Sequence, residues 1–298
     1  MLKFLKNRTT QVVIILLVVF SAISLWMRLL PMFGIGNADI LSMVASDDPL
    51  YNLRQVELIL ANYPNYAWYD PMTLFPVGSV IYWGSLFPIL IATVCLIVGA
   101  TTRPEIISVG LVIPPIMGML MVPLMYYIGK IAGDWKTGLL AAGFTAIVSG
   151  QFFYRSFYGY MDHHIAEVLF SALFCLLYMY VLYSEKDTEI SLTDFSTYKR
   201  LLLLSACAGI AYIIGLLVMP TMMLFAMIVG IFTVLQFIID VIRKKSSEYL
   251  LLINTVVFSL AIVGVLAFGF KIQGLNLSSY SIGHVYAYLG LISITGFL

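Results

Sequence analysis

The chain has 298 residues, of which 61% are hydrophobic and only 10% are charged. Soluble globular domains carry about a quarter of charged residues, so this composition excludes a soluble domain and predicts an all-α, polytopic membrane protein. The net charge of +1 provides no field that would attract nucleic acid, and we expect no such partner. Cys95, Cys175 and Cys207 lie in apolar runs without CxxC spacing, which implies no thiol chemistry.

Seven apolar runs are long enough to cross a hydrocarbon layer of about 30 Å as helices. They are residues 11–33, 105–130, 136–157, 165–184, 200–219, 221–243 and 249–270. The first follows a basic segment and has no signal-peptide cleavage site, so we expect it to be retained as the first span. An eighth run, 86–100, contains Pro88 and has only about 15 residues, which favours a buried helix that does not cross.

Charge distribution in the loops supports a non-crossing helix at 86–100. If the N-terminus is inside and this run does not cross, eleven of the 16 lysines and arginines fall inside, against six if it crosses. The eleven are Lys3, Lys6, Arg8, Lys130, Lys136, Lys186, Lys199, Arg200, Arg243, Lys244 and Lys245. We therefore predict an outer loop over 34–104, on the same membrane face as the turn near Asp162.

The first acidic cluster follows the first span. Asp47 and Asp48 precede Pro49, where a helix is expected to begin with proline at its first position and a carboxylate at its cap. Capping by Asp48 is one interpretation. A second carboxylate beside it is more than a cap requires, so a functional role for Asp48 stays open.

The second acidic cluster is the sequence Tyr160-Met161-Asp162-His163-His164, between two predicted spans. Asp162 could cap the following helix, but a cap needs no imidazoles, and histidine is uncommon at a membrane boundary unless it has a function. Carboxylate and imidazole donors without thiolates suit Mn²⁺ or Mg²⁺ better than a cysteine-bound zinc. Asp162 and His164 are two residues apart and could bind one ion, while His163 is expected to point elsewhere.

Between the two acidic clusters lies a loop rich in aromatic residues and proline, YPNYAWYDPMTLFPVGSVIYWGSLFP. Aromatic residues of this kind are typical of a membrane interface, where one ring edge is wet and the other apolar. Four prolines within the loop favour a shaped platform above the membrane over a floppy connector.

Three of these stretches together resemble one family. DDPLYNLR, NYAWYDPMTLFPVG and FYRSFYGYMDHH are similar, in order and separation, to the first half of the oligosaccharyltransferase catalytic subunit in its archaeal form. The resemblance, over roughly residues 10–270, implies a GT-C glycosyltransferase fold in residues 1–298. It also implies metal-dependent, inverting transfer of an oligosaccharide from a dolichyl phosphate carrier to asparagine in N-x-S/T sequons of an acceptor protein.

The resemblance also implies roles for individual residues. Asp48, Asp162 and His164 match the metal ligands, with Asp48 also near the acceptor amide, and the ion would be Mn²⁺ or Mg²⁺. Asp48, Asp162 and Arg155 would be catalytic, although Arg155 could instead be a snorkelling arginine at the end of a span. The enzyme would be a multi-pass protein of the plasma membrane, surrounded by lipid, with its active face outside the cytoplasm.

Some features of the family are missing, and alternatives remain. The family's later glutamate and its C-terminal soluble domain with a WWDYG motif are absent from these residues, so we expect an N-terminal fragment whose catalytic unit is incomplete. The alternatives are another GT-C enzyme that uses a lipid-linked sugar, a secondary transporter with proline-broken helices near Pro114 and Pro115, and a binding or scaffolding role.

Overall fold

The computed structural model of the chain describes residues 8–34, 39–185 and 195–298, so that Lys3, Lys6 and Lys186 of the predicted inside charges lie outside the described residues. Regular structure in the described ranges is almost entirely helical, which confirms the all-α class. The elements are α1 (Arg8–Leu29), α2 (Asp48–Ala61), β1 (Tyr69–Asp70), β2 (Ser79–Val80), α3 (Leu86–Val98), α4 (Arg103–Ala132), α5 (Trp135–Ile147), α6 (Gln151–Tyr154), α7 (His164–Glu185), α8 (Lys199–Val218), α9 (Met223–Ile242), α10 (Glu248–Phe268) and α11 (Ile282–Phe297).

Six of the described helices, α1, α4 and α7–α10, are long and apolar enough to cross a membrane. The burial pattern of α1 suits lipid. Its buried residues include Ser24 and Arg28, whereas Ile15 and Val18 are 60% and 64% exposed. Apolar side chains turned outward are expected where hydrocarbon replaces water around a helix. The chain is therefore a multi-pass membrane protein, and the count of about seven spans stays a prediction.

The structure differs from the single span predicted over 136–157. α5 ends at Ile147, Val148 is extended, and Gly150 has φ +90°, a backbone conformation that interrupts a helix. At 1.5 Å per residue, the 13 residues of α5 extend about 20 Å, less than a hydrocarbon layer. The chain then forms the single turn α6 and a non-helical segment that leads to α7.

The first of two compact units comprises Met1–Ala67 and Ser85–Ala172. In it α1 packs against α4 and α5, which pack against each other, and α2 packs against α3. A small core of Val13, Val122, Tyr126, Ala142 and Ala146 joins α1, α4 and α5. α4 begins with a capping box, in which the Glu105 carboxylate accepts from the backbone N–H groups of Thr101 and Thr102.

The second unit comprises Trp68–Gly84 and Leu173–Leu298. Here α10 packs against α8 and α11, and α9 packs against α11. The core of this unit is rich in aromatic residues, including Phe174, Tyr212, Phe258 and Tyr288. The unit also contains the short antiparallel hairpin, in which Tyr69 pairs with Val80 and Asp70 with Ser79.

The short apolar run after the first span does form a helix, α3 (Leu86–Val98), which ends at Gly99 with φ +75°. Its 13 residues extend about 20 Å, too little for a typical bilayer core. That length agrees with the predicted non-crossing helix near 86–100, whose position relative to the membrane stays a prediction.

Candidate active site and metal centre

Asp48 lies in the first turn of α2. The helix expected near Pro49 is present as α2, but its cap position is Asp47, whose side chain makes no capping hydrogen bond, so the interpretation of Asp48 as the cap is wrong. Oδ2 of Asp48 lies 3.5 Å from Nη1 of Arg155 and 3.7 Å from Nε2 of His164. The carboxylate therefore faces the second acidic cluster.

Asp162 lies in the segment between α6 and α7 and is fully buried. Its Oδ2 accepts from Nη1 of Arg155 at 2.7 Å and lies 3.9 Å from Nε2 of His164, while its Oδ1 lies 3.1 Å from Nδ1 of His163. Burial by itself would raise the pKa of Asp162, but the close contact and charge of His163, the charge of His164 and the hydrogen bond from Arg155 lower it. Asp162 is thus held as a buried carboxylate.

Backbone contacts join the two acidic segments. The N–H of Ala45 donates to the carbonyl of Gly159 at 3.0 Å. Gly159 has φ +116°, and a Cβ built on it would lie 2.9 Å from the carbonyl oxygen of Met43. Only glycine combines that backbone conformation with so close an approach. The glycine in FYGYMDHH therefore permits the contact that brings the first-loop acids to Asp162.

Arg155 joins the two carboxylates. Its Nη1 is within salt-bridge distance of both Asp48 and Asp162, and its guanidinium carbon lies 5.4 Å from the ring centroid of Tyr160. The Arg155 side chain is 29% exposed and is directed into the cluster. These contacts do not fit the alternative that Arg155 only snorkels to the membrane interface.

Three residues of the cluster received no role from the sequence. Glu167 lies 3.2 Å from Nδ1 of His164, and the i, i+3 spacing on α7 could have revealed it. The hydroxyl of Tyr160 donates to Asp47 at 3.3 Å, and burial raises the pKa of Tyr160 to about 12, which keeps it a donor. His163, expected to point elsewhere than the ion, lies 3.1 Å from Oδ1 of Asp162, whereas His164 faces Oδ2, and the two imidazole rings lie 4.5 Å apart.

The donor set of Asp48, Asp162 and His164 fits a divalent cation. Two carboxylate oxygens lie 3.7 and 3.9 Å from one imidazole nitrogen. Ligands of one Mg²⁺ or Mn²⁺ ion at about 2.1 Å lie roughly 3 Å apart, so side-chain shifts of less than about 1 Å would bring His164 to that separation from each carboxylate. Glu167 supplies the carboxylate that commonly fixes the orientation of a metal-binding histidine.

Comparison with known proteins identifies the family. Residues 10–298 match the family described as "Oligosaccharyl transferase STT3, N-terminal". The chain belongs to this family. The predicted resemblance is therefore confirmed, and with it the GT-C type of membrane fold.

Two curated relatives are archaeal oligosaccharyltransferases. The chain is 30% identical over 233 residues to the dolichyl-monophosphooligosaccharide–protein glycotransferase AglB of Haloferax volcanii, covering 75% of this chain and 22% of the relative. It is 29% identical over 240 residues to the dolichyl-phosphooligosaccharide-protein glycotransferase 3 of Archaeoglobus fulgidus, covering 80% of this chain and 27% of the relative.

Solved structures of the Archaeoglobus fulgidus oligosaccharyltransferase share the fold. The complex with an inhibitory peptide and a dolichol-phosphate matches with a TM-score of 0.85 at 26% identity, over 96% of this chain and 32% of that one. The form tethered to an acceptor peptide with an NVT sequon matches with a TM-score of 0.86 at 25% identity, over 99% of this chain and 34% of that one. The complex with Zn and sulfate matches with a TM-score of 0.81 at 25% identity, over 95% of this chain and 35% of that one.

The chain spans about a quarter of the length of these curated relatives and about a third of the length of the solved chains. Family membership and fold are thus established for this chain, and the activity of the whole relatives is a separate question.

Proposed function

We propose that this chain provides the membrane-embedded part of an oligosaccharyltransferase. It would transfer an oligosaccharide from a dolichyl phosphate carrier to the asparagine of N-x-S/T sequons, with inversion at the sugar C1. Family membership supports this class of reaction, as do the names of the archaeal relatives and the dolichol-phosphate and acceptor peptide in the solved structures. The active face would lie outside the cytoplasm of a cell whose plasma membrane contains the protein.

One observation carries the proposal: Asp48 and Asp162, which come from two distant stretches of the chain, each lie within 4 Å of the side-chain nitrogens of both Arg155 and His164. Two carboxylates in so small a space repel each other unless a positive charge lies between them. The cluster is therefore built to hold cationic partners.

Asp48, Asp162 and His164 would hold Mn²⁺ or Mg²⁺. When bound, such an ion would neutralise the charge that develops on the lipid phosphate as its bond to the sugar C1 breaks. A solved relative was obtained in complex with Zn and sulfate, which supports a cation site in this fold. The absence of thiolates and the two carboxylates in this donor set favour the harder ions.

The protein side chains would have distinct roles. An amide nitrogen is a weak nucleophile because its lone pair is delocalised into the carbonyl. Asp48, which is 36% exposed, can accept a hydrogen bond from the acceptor amide and favour rotation of the C–N bond out of conjugation. Arg155 can bind a phosphate oxygen while its other contacts hold it beside Asp162. His163 would fix the orientation of Asp162, and Glu167 would fix the orientation of His164.

The test is a transfer assay in native membranes with a fluorescent sequon peptide and endogenous lipid-linked oligosaccharide. Variants Asp48→Asn and Asp162→Asn, introduced at the native gene, are expected to abolish peptide glycosylation at unchanged protein abundance. Glu57→Gln is the matched control, since Glu57 lies on the same helix α2 but pairs with Arg103. Glycosylation at the wild-type rate in either aspartate variant would refute the proposal.

A further inference from the structure

Arg28 is a charged residue inside a candidate membrane span that the proposed chemistry does not use. It lies near the end of α1, its side chain is 0% exposed, and no carboxylate in the described part of the chain pairs with it. A buried arginine without an acidic partner is unfavourable in a bilayer, so such residues mark a function. Its contacts show where that function lies.

The guanidinium is held by neutral acceptors and aromatic rings. Nε donates to the Ser156 hydroxyl at 2.8 Å, and Nη1 donates to the Ser24 hydroxyl at 2.6 Å. The guanidinium carbon lies 5.0 and 5.1 Å from the ring centroids of Phe152 and Phe153, distances typical of cation–π contacts. Three of these four partners belong to residues 152–156, which precede the turn that carries Asp162 and His164.

Space for the guanidinium is provided by α4. A Cβ added to Gly118 would lie 2.4 Å from Nε of Arg28, so the side chain passes where a larger residue would block it. The arginine is thus fixed from three sides, by α1, α4 and the segment after α5.

A second bond links Arg28 to the same segment. The backbone carbonyl of Arg28 accepts from the N–H of Tyr158 at 2.8 Å. Side chain and main chain of one residue therefore hold Ser156 and Tyr158. Arg155 immediately precedes Ser156, and its own guanidinium contacts both Asp48 and Asp162.

We infer that Arg28 is a positioning residue that acts through residues 156–158 to aim Arg155 at the two carboxylates. This inference rests on the proposed function. The Arg28 guanidinium itself is fully buried and touches neither carboxylate. Its effect is to fix the backbone from which Arg155 projects, so that the phosphate-binding guanidinium meets the lipid donor in one orientation.

The structure offers a matched pair of variants to test this. Ser156→Ala and Ser24→Ala each remove one hydroxyl that accepts from Arg28, but only Ser156 belongs to the segment that carries Arg155. We would measure kcat and the KM for the sequon peptide in native membranes, together with protein abundance and thermal stability. Arg28→Met and the conservative Ser156→Thr complete the series.

We expect Ser156→Ala to lower kcat about 10- to 100-fold with little change in peptide KM, because a displacement of about 1 Å at a reacting group can reduce a rate 100-fold. Ser156→Thr, which restores the hydroxyl, should recover most of the rate. Ser24→Ala should keep the wild-type kcat. The double variant Arg28→Met with Ser156→Ala should be no slower than Arg28→Met alone, since both break the same connection.

Equal losses of rate in Ser24→Ala and Ser156→Ala that follow loss of stability would show a merely structural role and overturn the inference. A wild-type kcat in Ser156→Ala would also overturn it. Both results require an active wild-type protein, whereas absence of sequon-peptide transfer by wild-type membranes would count against the proposed function instead.

Discussion

A hydrogen-bonded polar network in the second unit differs from the charged cluster around Asp48 in the first unit. In the second unit, the Tyr178 hydroxyl donates to Asn254 at 2.7 Å, Asn254 donates to Thr233 at 2.8 Å, and Asp240 accepts from Gln236 and Tyr249. In the first unit, Asp48 contacts its cationic neighbours only at 3.5 and 3.7 Å and is 36% exposed.

The difference separates stabilising polar groups from reactive ones. Short hydrogen bonds between buried side chains hold helices together in a membrane, where no water competes. The contacts of 3.5–3.9 Å from Asp48 to Arg155 and from His164 to both carboxylates are longer than ordinary hydrogen bonds and leave room for a ligand. A polar residue in a membrane protein is therefore a better functional candidate when its partners are charged and loosely bound.

The largest expected effect comes from removing a carboxylate of the charged cluster. Asp162→Ala should reduce transfer by about 1000-fold or more, since it removes a cation ligand and leaves Arg155 without its nearest partner. Asp240→Asn, which alters a carboxylate of the hydrogen-bonded type, should leave transfer intact. A loss of transfer in Asp240→Asn comparable to that in Asp162→Ala would break the distinction between the units.

Removal of divalent cations should nearly abolish transfer by wild-type membranes. Treatment with a chelator empties the proposed site, and titration with Mn²⁺ or Mg²⁺ should then restore the rate. In His164→Ala the concentration of Mn²⁺ needed for half-maximal rate should rise by at least about 10- to 100-fold, since loss of a group that merely orients a metal ligand already costs that much. Full activity in the thoroughly chelated protein would rule out the metal role.

Substitution of Arg155 should lower the transfer rate less than substitution of the carboxylates and more than substitution of the surrounding residues. We expect Arg155→Lys to lower kcat about 10-fold, because lysine keeps the charge but lacks the planar guanidinium that can bind a phosphate oxygen while Nη1 stays between the two carboxylates. Arg155→Ala should be slower still. The Mn²⁺ titration of both variants should stay close to wild type, and a large shift in it would mean that Arg155 organises the metal ligands themselves.

The smallest effect is expected in the second unit and concerns stability alone. Tyr178→Phe removes a buried hydroxyl and leaves Asn254 without its donor, which should lower stability by about 1 kcal/mol. The melting temperature of the purified protein measures this loss. Transfer per folded molecule should not change, and a selective loss of kcat would place this network in the chemistry.

Much of the fold follows from the sequence because apolar run length is a strong signal in membranes. The helices at 8–29, 103–132 and 248–268 match predicted spans closely. The run over 136–157 shows the limit of that signal. Hydropathy cannot distinguish a continuous helix from an interrupted one. Here the helix is interrupted by the positive φ of Gly150, which hydropathy does not report.

The site was predictable in part, for a related reason. Asp48, Arg155, Asp162 and His164 were identified as candidates, and the structure brings them together, while their catalytic and metal-binding roles stay predictions. The positions of His163 and the burial of Arg28 depend on contacts between distant residues. No local pattern shows that Arg28, at the end of an apolar run, bonds with Ser156 rather than reaching the interface.

The most direct test of the central claim is anomalous X-ray scattering from crystals of the protein soaked in Mn²⁺, recorded at the manganese edge. The account predicts one strong anomalous peak from a manganese ion whose ligand atoms, from Asp48, Asp162 and His164, lie about 2.0–2.3 Å from the ion. A manganese ion bound elsewhere, with these three side chains contacting no metal, would contradict it.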